Sequence, residues 1–205
     1  MTDYFALLGE LRRPVIDLEP LKARALALAA ESHPDRLRGA SEGERRAAEE
    51  RFAQVTAAMR CLADPKERLQ HLLELERGRP ATGVQPVPPE LADLFLTVGA
   101  ALRSADQLTR ERAEAQSPML KARWMQRALA EADELRAVRD RVRADQDAAL
   151  LNLAGLDKAW TAQATGGASS VEPLPLTELE GVCAALSYTG KWVAQLQERE
   201  LALTL

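Results

Sequence analysis

With 205 residues, the chain is long enough for one large or two small domains whose cores need no metal or disulfide. Ala, Leu, Arg and Glu dominate, aromatic residues make up only 4%, and apolar residues recur at helical spacing almost throughout, which predicts an all-α fold. The net charge of −4 argues against nucleic acid or an anionic membrane surface as the main partner.

Cysteine and histidine usage indicates neither a metal site nor a disulfide framework. Cys61, Cys183, His33 and His71 match no zinc-ligand spacing, and both thiols are predicted to be reduced and in or near the core. A disulfide between the two cysteines is the alternative. We expect no cofactor. No apolar run is long enough to span a bilayer and the first residues do not form a signal peptide, so the sequence predicts a cytoplasmic protein.

The first 77 residues predict an antiparallel helix hairpin with short flanking helices. An apolar cluster at residues 4–8 forms the first short helix. Asp17 is a typical N-cap for a helix running to about Ser32. Ser41 and Glu44 form a capping box for the next helix, which Pro65 ends or kinks before a short last helix.

Between the two long helices stands the tripeptide His33-Pro34-Asp35. Pro34 cannot extend a helix and stiffens a loop, which lowers the ordering cost of binding. Asp35 suits a charge-assisted hydrogen bond to an arginine of a partner, and His33 can donate or accept at neutral pH. Lys22 and Arg24 lie off the apolar stripe of the preceding helix, so we expect them to face solvent or a partner.

Residues 78–89 are rich in glycine and proline and predict a semi-rigid linker. Residues 90–205 predict an antiparallel bundle of about three helices, or a long hairpin with a third helix laid along it. Its middle segment keeps a coiled-coil-like spacing of three or four residues. Six large residues at the first and last helices are either core or a contact surface: Leu91, Leu94, Phe95, Val98, Tyr188 and Trp192.

The motifs of residues 1–77 resemble a J domain, the module that stimulates the ATPase of heat-shock protein 70 (DnaK-type) chaperones. The resemblance is carried by DYFxLLG at residues 3–9, by the tripeptide between two helices, and by DPKER at residues 64–68. The run DPKERLQHLL at 64–73 is similar to the HscB (Jac-type) co-chaperones of iron–sulfur cluster assembly, which carry a C-terminal three-helix domain after a short linker.

The resemblance implies roles for the residues around the tripeptide. His33, Pro34 and Asp35 are then expected to act on the ATPase and linker of the chaperone, with Lys22 and Arg24 docking on its negative surface. Arg36 stands where lysine is common, which keeps the charge. J domains usually have more basic residues on this second helix than the chain offers at residues 29–31.

The resemblance also implies a client. The C-terminal domain of HscB-like proteins binds the iron–sulfur scaffold protein through an apolar patch rimmed by glutamates. Here Thr97, Gly99, Ala100 and Ala101 stand where the family has a run rich in glutamate and arginine. The corresponding apolar residues are Leu91, Leu94, Phe95 and Val98, with Tyr188 and Trp192 alongside. We expect a protein client, with the iron–sulfur scaffold as the candidate.

Two other classes of function are consistent with the sequence. The chain could be a J-like adaptor without ATPase-stimulating activity, or a J protein with an unrelated client. An enzyme using His33 and Asp35 as an acid–base pair would need a nucleophile, phosphate loop or metal set to join them, and we find none. The sequence therefore predicts a co-chaperone that is not itself an enzyme and binds neither nucleic acid nor membrane.

Overall fold

The computed structural model describes residues 2–32, 41–79, 86–165 and 173–204. These residues form seven α-helices and one short 3₁₀ helix, with no strand among them, which confirms the predicted all-α class. The helices are α1 (Tyr4–Leu7), α2 (Leu18–Glu31), α3 (Glu42–Ala63), α4 (Pro65–Arg77), α5 (Ala92–Glu114), α6 (Pro118–Thr165) and α7 (Leu176–Thr204), and the 3₁₀ helix is Pro89–Leu91.

Capping residues account for the starts of the first four helices. The Asp3 carboxylate accepts the Ala6 N–H at the start of α1, and Asp17 does the same for Glu19 at the start of α2. Asp64 closes α3 and caps α4, with Pro65 at the first position of α4. At the start of α3, Ser41 and Glu44 form the predicted capping box. The helix starts predicted at Asp17, Ser41 and Pro65 are thus confirmed.

The chain divides into two compact units. Unit 1 comprises Met1–Gly83 and Leu153–Glu180, and unit 2 comprises Val84–Asn152 and Gly181–Leu205. The predicted boundaries placed everything after residue 90 in one domain, whereas residues 153–180 group with the N-terminal helices. The reason is a set of contacts from the last turns of α6 to the α1–α2 connector, described below.

Unit 1 has a core built where α1, α2 and α4 pack on α3. Helical spacing places apolar side chains on one face of each helix, and these faces meet. The members are at most 1% exposed and include Phe5, Leu21, Val55, Leu62, Leu69 and Leu72. This core holds α2 and α3 as a hairpin around the predicted loop.

Unit 2 has its own core along α5, the first part of α6 and α7. The buried residues include Leu94, Val98, Leu108, Trp124, Leu135, Val142, Trp192 and Leu196. The predicted seam of α6 is confirmed, since Trp124, Ala128, Leu135 and Val142 are buried at spacings of four and seven. The two thiols are free, Cys183 buried and Cys61 partly buried, as predicted.

Candidate functional site

The two helix ends that flank the predicted loop are closed by local hydrogen bonds. The Ser32 N–H and Oγ both donate to the Leu28 carbonyl, at 3.2 and 3.1 Å. At the start of α3, the Glu44 N–H donates to Ser41 Oγ at 3.3 Å, and the Ser41 N–H donates to the Glu44 carboxylate at 2.8 Å. The Ser41 hydroxyl also donates to the Glu44 carboxylate, at 2.8 Å. The hydrogen bonds from this hydroxyl and from the Ser41 N–H lower the pKa of the Glu44 carboxyl group. The loop residues themselves lie outside the described residues: His33, Pro34, Asp35 and Arg36.

The two predicted docking cations of α2 are both engaged within the chain. Lys22 is exposed and pairs with Glu19 one turn earlier, at 2.8 Å. Arg24 was expected to face solvent or a partner, and its side chain is 42% exposed. Its Nε also donates to the Leu8 carbonyl at 3.0 Å, and its guanidinium forms an ion pair with Glu10. Arg24 therefore holds the segment after α1 against α2.

The connector between α1 and α2 is clamped by the last turns of α6. The Asp157 carboxylate, only 6% exposed, accepts the Val15 N–H at 3.0 Å and forms a two-point ion pair with the Arg13 guanidinium. Three residues on, the buried Trp160 donates its indole N–H to the Arg12 carbonyl at 2.8 Å. Asp157 and Trp160 thus share one face of α6, and that face belongs to unit 1.

A buried arginine of α4 holds the same connector. Arg68 is 5% exposed, and its Nε donates to the Pro14 carbonyl at 2.8 Å while a terminal nitrogen donates to the Leu62 carbonyl at 2.6 Å. Burial lowers the pKa of Arg68, because the charged form loses water. Sequence reasoning assigned no role to Arg68 beyond the family motif and missed the clamp of Asp157 and Trp160.

His71 is a structural residue of unit 1. It is 6% exposed, its Nε2 accepts the Tyr4 N–H at 3.1 Å, and its ring stacks on Phe5 at a centroid distance of 5.9 Å. Burial lowers the pKa of His71, which favours the neutral ring that can accept this hydrogen bond. His71 ties α1 to α4 as a neutral side chain.

Beside His71 lies a cavity of about 220 Å³ that includes Cys61, Tyr4 and Glu74 among its lining residues. Burial raises the pKa of the Cys61 thiol to about 11, so the reactive thiolate is scarce at neutral pH. Among the described residues, no group of three or more His, Cys, Asp or Glu side chains could hold a metal ion. The same part of the chain contains no helix long and apolar enough to cross a bilayer.

The predicted client surface is largely core in the structure. Four of its six residues are at most 5% exposed and pack inside unit 2: Leu91, Leu94, Val98 and Trp192. They are buried because they belong to one hydrophobic core with residues of α5, α6 and α7, so their assignment as a contact surface is corrected. Phe95 stays 47% exposed and Tyr188 is partly buried. Both rings lie against Trp192, at centroid distances of 6.1 and 5.6 Å.

The exposed apolar surface of α5 includes a residue that sequence reasoning left out. Leu96 is 66% exposed beside Phe95, and the exposed Ala92 lies one turn before both. Leu96 falls outside the helical stripe of Leu91, Leu94 and Val98, and an apolar residue off the stripe was the available signal. We name Phe95, Leu96 and Tyr188 the α5–α7 patch.

Comparisons with known proteins identify relatives of this chain, although no family model matches it. It is 40% identical over 72 residues to a co-chaperone protein HscB homologue of Bordetella avium, covering 35% of this chain and 43% of that protein. It is 42% identical over 72 residues to the homologue of Bordetella petrii, with coverages of 35% and 42%. Each match spans less than half of the relative's length.

Two solved structures share the fold. The chaperone HscB from Vibrio cholerae matches with a TM-score of 0.62 at 21% identity, covering 98% of this chain and 99% of the other. Human co-chaperone protein HscB matches with a TM-score of 0.59 at 17% identity, covering 98% and 83%. The resemblance to J-domain co-chaperones of the HscB type, predicted from the sequence, is confirmed by these relatives together.

Proposed function

We propose that this chain, which has the fold of HscB and resembles the HscB-type co-chaperones, is a J-type co-chaperone of a DnaK-type chaperone. In this role it stimulates the ATPase of the chaperone and delivers a client protein, while performing no catalysis of its own. The observation that carries the proposal is the tripeptide at 33–35 lying between two capped helices of a chain whose fold is that of HscB.

The hairpin of α2 and α3 supports the ATPase-stimulating role. Its core residues Leu21, Val55 and Leu62 are at most 1% exposed, so the two helices form a rigid base on either side of residues 33–40. A rigid base keeps the entropic cost of presenting a binding loop low. Asp35 then supplies the carboxylate for a charge-assisted hydrogen bond to an arginine of the chaperone.

The α5–α7 patch supports the client-binding role. Phe95 and Leu96 are 47% and 66% exposed, and Trp192 beneath Phe95 gives that ring a packed support. Exposed aromatic and aliphatic residues on a packed base are typical of protein-binding surfaces. The iron–sulfur scaffold protein is the candidate client. Thr97, Gly99 and Ala101 stand where the family that this chain resembles has a run rich in glutamate and arginine, so apolar contact has to carry this binding.

One observation favours a second function, that of an adaptor that does not stimulate the ATPase. Lys22 and Arg24 are both engaged in contacts within the chain, so the electrostatic docking usual for J domains is reduced. In either function the partners are proteins, and the proposal includes a cytoplasmic location and neither nucleic acid nor membrane as a partner.

The test is phosphate release by the DnaK-type chaperone of the same organism, measured in a single turnover with and without the full chain. Stimulation that saturates with added chain supports the co-chaperone role. If the chain binds the chaperone and phosphate release stays at the basal rate, the adaptor function replaces it. A pull-down with the purified iron–sulfur scaffold protein tests the client separately.

A further inference from the structure

An exposed apolar stripe runs along the first three turns of α6. Met119, Met125 and Leu129 are 80%, 47% and 54% exposed, and the exposed Ala122 lies between the two methionines. Steps of three or four residues stay on one face of a helix, so these four side chains form a single stripe about 15 Å long. We name it the α6 stripe.

The α6 stripe is separate from the face by which α6 enters the core of unit 2. That core face carries Trp124, Ala128 and Leu135, which are at most 7% exposed. At about 100° per residue, the two faces lie about a third of a turn apart. Packing within unit 2 therefore leaves the stripe in water. Three large apolar side chains side by side on a surface are typical of a protein contact, and methionine adapts readily to a partner.

The charges around the stripe are divided along the helix. From residue 119 to residue 134 the cations come first and the carboxylates follow, in the order Lys121, Arg123, Arg127, Glu131, Asp133 and Glu134. Arg123 and Asp133 are both exposed, and their spacing places them on the same flank of the stripe. Asp133 pairs with Arg136 one turn later, at 2.6 Å, while its side chain stays 73% exposed. A face with a positive half and a negative half is complementary to a copy of itself that runs in the opposite direction.

We propose that the α6 stripe is a self-association surface, on which the α6 stripe of a second copy of this chain packs antiparallel. A two-fold axis near Arg127 places Met125 of one copy beside Leu129 of the other. The same axis brings Arg123 of each copy to within about one helical turn of Asp133 of the other, on the same flank. A parallel arrangement sets each of these charges against its like, which is unfavourable.

The small size of the stripe makes the dimer weak. Stable protein interfaces bury about 800 Å² on each partner, and one helix face about 15 Å long supplies only part of that area. We therefore expect a dissociation constant on the order of 100 µM. This inference does not depend on the proposed function, because it concerns a face of unit 2 and a partner that is the chain itself.

The first experiment measures association of the full chain by sedimentation equilibrium, at concentrations from about 10 µM to about 1 mM. Leu129→Gln removes the leucine of the stripe. Leu151→Gln is the matched control, because Leu151 is a leucine of α6 that is 76% exposed. Leu96→Gln tests whether the α5–α7 patch is the self-contact instead. Glutamine is a good helix former, so these exposed sites should keep their helices.

The second experiment tests the antiparallel arrangement by charge reversal. Arg123→Asp alone, or Asp133→Arg alone, should raise the dissociation constant by about fivefold, because each places like charges together at both ends of the contact. The double variant that carries both changes should return to within about twofold of the wild type, since the exchanged charges again face opposite ones. A local role of either residue within one copy does not produce this rescue.

The expected result is that Leu129→Gln raises the dissociation constant by at least about tenfold, while Leu151→Gln and Leu96→Gln stay within about twofold of the wild type. A wild type that is monomeric at about 1 mM overturns the inference and leaves the stripe to a different protein. The inference is also overturned if Leu129→Gln associates like the wild type, or if the double charge variant stays as weak as the single ones. ATPase stimulation is measured separately, so none of these outcomes decides the proposed function.

Discussion

Asp157 of α6 and Arg13 of the α1–α2 connector form a two-point ion pair across 144 positions of sequence, with the Asp157 carboxylate buried and also accepting the Val15 N–H. Charge-assisted pairs of this geometry are among the strong polar contacts, and removing one partner leaves the other without compensation. The pair explains why the last turns of α6 belong to the compact unit of the N-terminal helices.

The first prediction concerns this pair. Asp157→Ala should destabilise unit 1 by about 2 to 4 kcal/mol, because the Val15 N–H and the Arg13 guanidinium lose their acceptor. Urea denaturation followed by circular dichroism measures the change. Asp147→Ala is the control, since Asp147 is an exposed residue of the same helix and should change stability by less than about 0.5 kcal/mol. Equal stabilities of the two variants would show that the pair contributes nothing.

The second prediction concerns the domain boundary. A fragment ending at Gly83 should fold, because the core of Phe5, Leu21, Val55 and Leu62 lies entirely within it. It should melt at a lower temperature than unit 1 in the full chain, since it lacks the acceptor of Arg13 and the Trp160 indole. Thermal melts followed by circular dichroism compare the melting temperatures of the fragment and the full chain. A fragment as stable as the full chain would mean that residues 153–180 do not stabilise the N-terminal helices of unit 1.

The third prediction concerns the tripeptide. Asp35→Asn should abolish ATPase stimulation while leaving the melting curve unchanged, because it removes a charge and keeps the shape of the side chain. The single-turnover assay gives the rate, and Asp147→Asn serves as a charge-matched control on α6. An Asp35→Asn variant that stimulates like the wild type would contradict the J-domain mechanism.

The fourth prediction separates core from contact on α5. Leu94→Asp should cost at least about 3 kcal/mol of stability, because Leu94 is 2% exposed and a carboxylate there has no partner. Leu96→Asp should cost less than about 0.5 kcal/mol, since Leu96 is 66% exposed and a carboxylate there stays in water.

Because Leu96→Asp is expected to keep the fold, this variant can be used to measure the contribution of Leu96 to client binding. If the α5–α7 patch binds the client, Leu96→Asp should weaken capture of the purified scaffold protein by about tenfold in a calorimetric titration, with the fold intact. Leu151→Asp carries the same substitution at an exposed leucine elsewhere on unit 2. Loss of binding in both variants, or in neither, would place the client site outside the patch.

The fifth prediction concerns pH. Burial lowers the pKa of His71 in the folded chain below its value in the unfolded chain, so the unfolded state binds the proton more readily. The stability contributed by neutral His71 is therefore present above the unfolded pKa and is lost as pH falls from about 7 toward about 5. Urea titrations across that range should show the loss, and His71→Gln should show a flatter pH dependence. An unchanged slope would assign the effect to other groups.

Local chemistry in the sequence was sufficient to predict the helix starts and the all-α class. The capping hydrogen bonds span at most four residues, so both partners lie in one short stretch of sequence. They are made by Asp17, by the Ser41–Glu44 capping box and by Asp64 before Pro65. The relation to J-domain co-chaperones was likewise readable, because its motifs are short and contiguous.

Only the tertiary structure decided which apolar residues are core and which are surface. Leu94 and Leu96 are two residues apart and chemically the same, yet they are 2% and 66% exposed because α5 presents them to different surroundings. Two contacts join residues more than 140 positions apart: Asp157 binds Arg13, and the Trp160 indole donates to the Arg12 carbonyl. Such contacts depend on how whole helices pack, and no local spacing in one sequence encodes the partner.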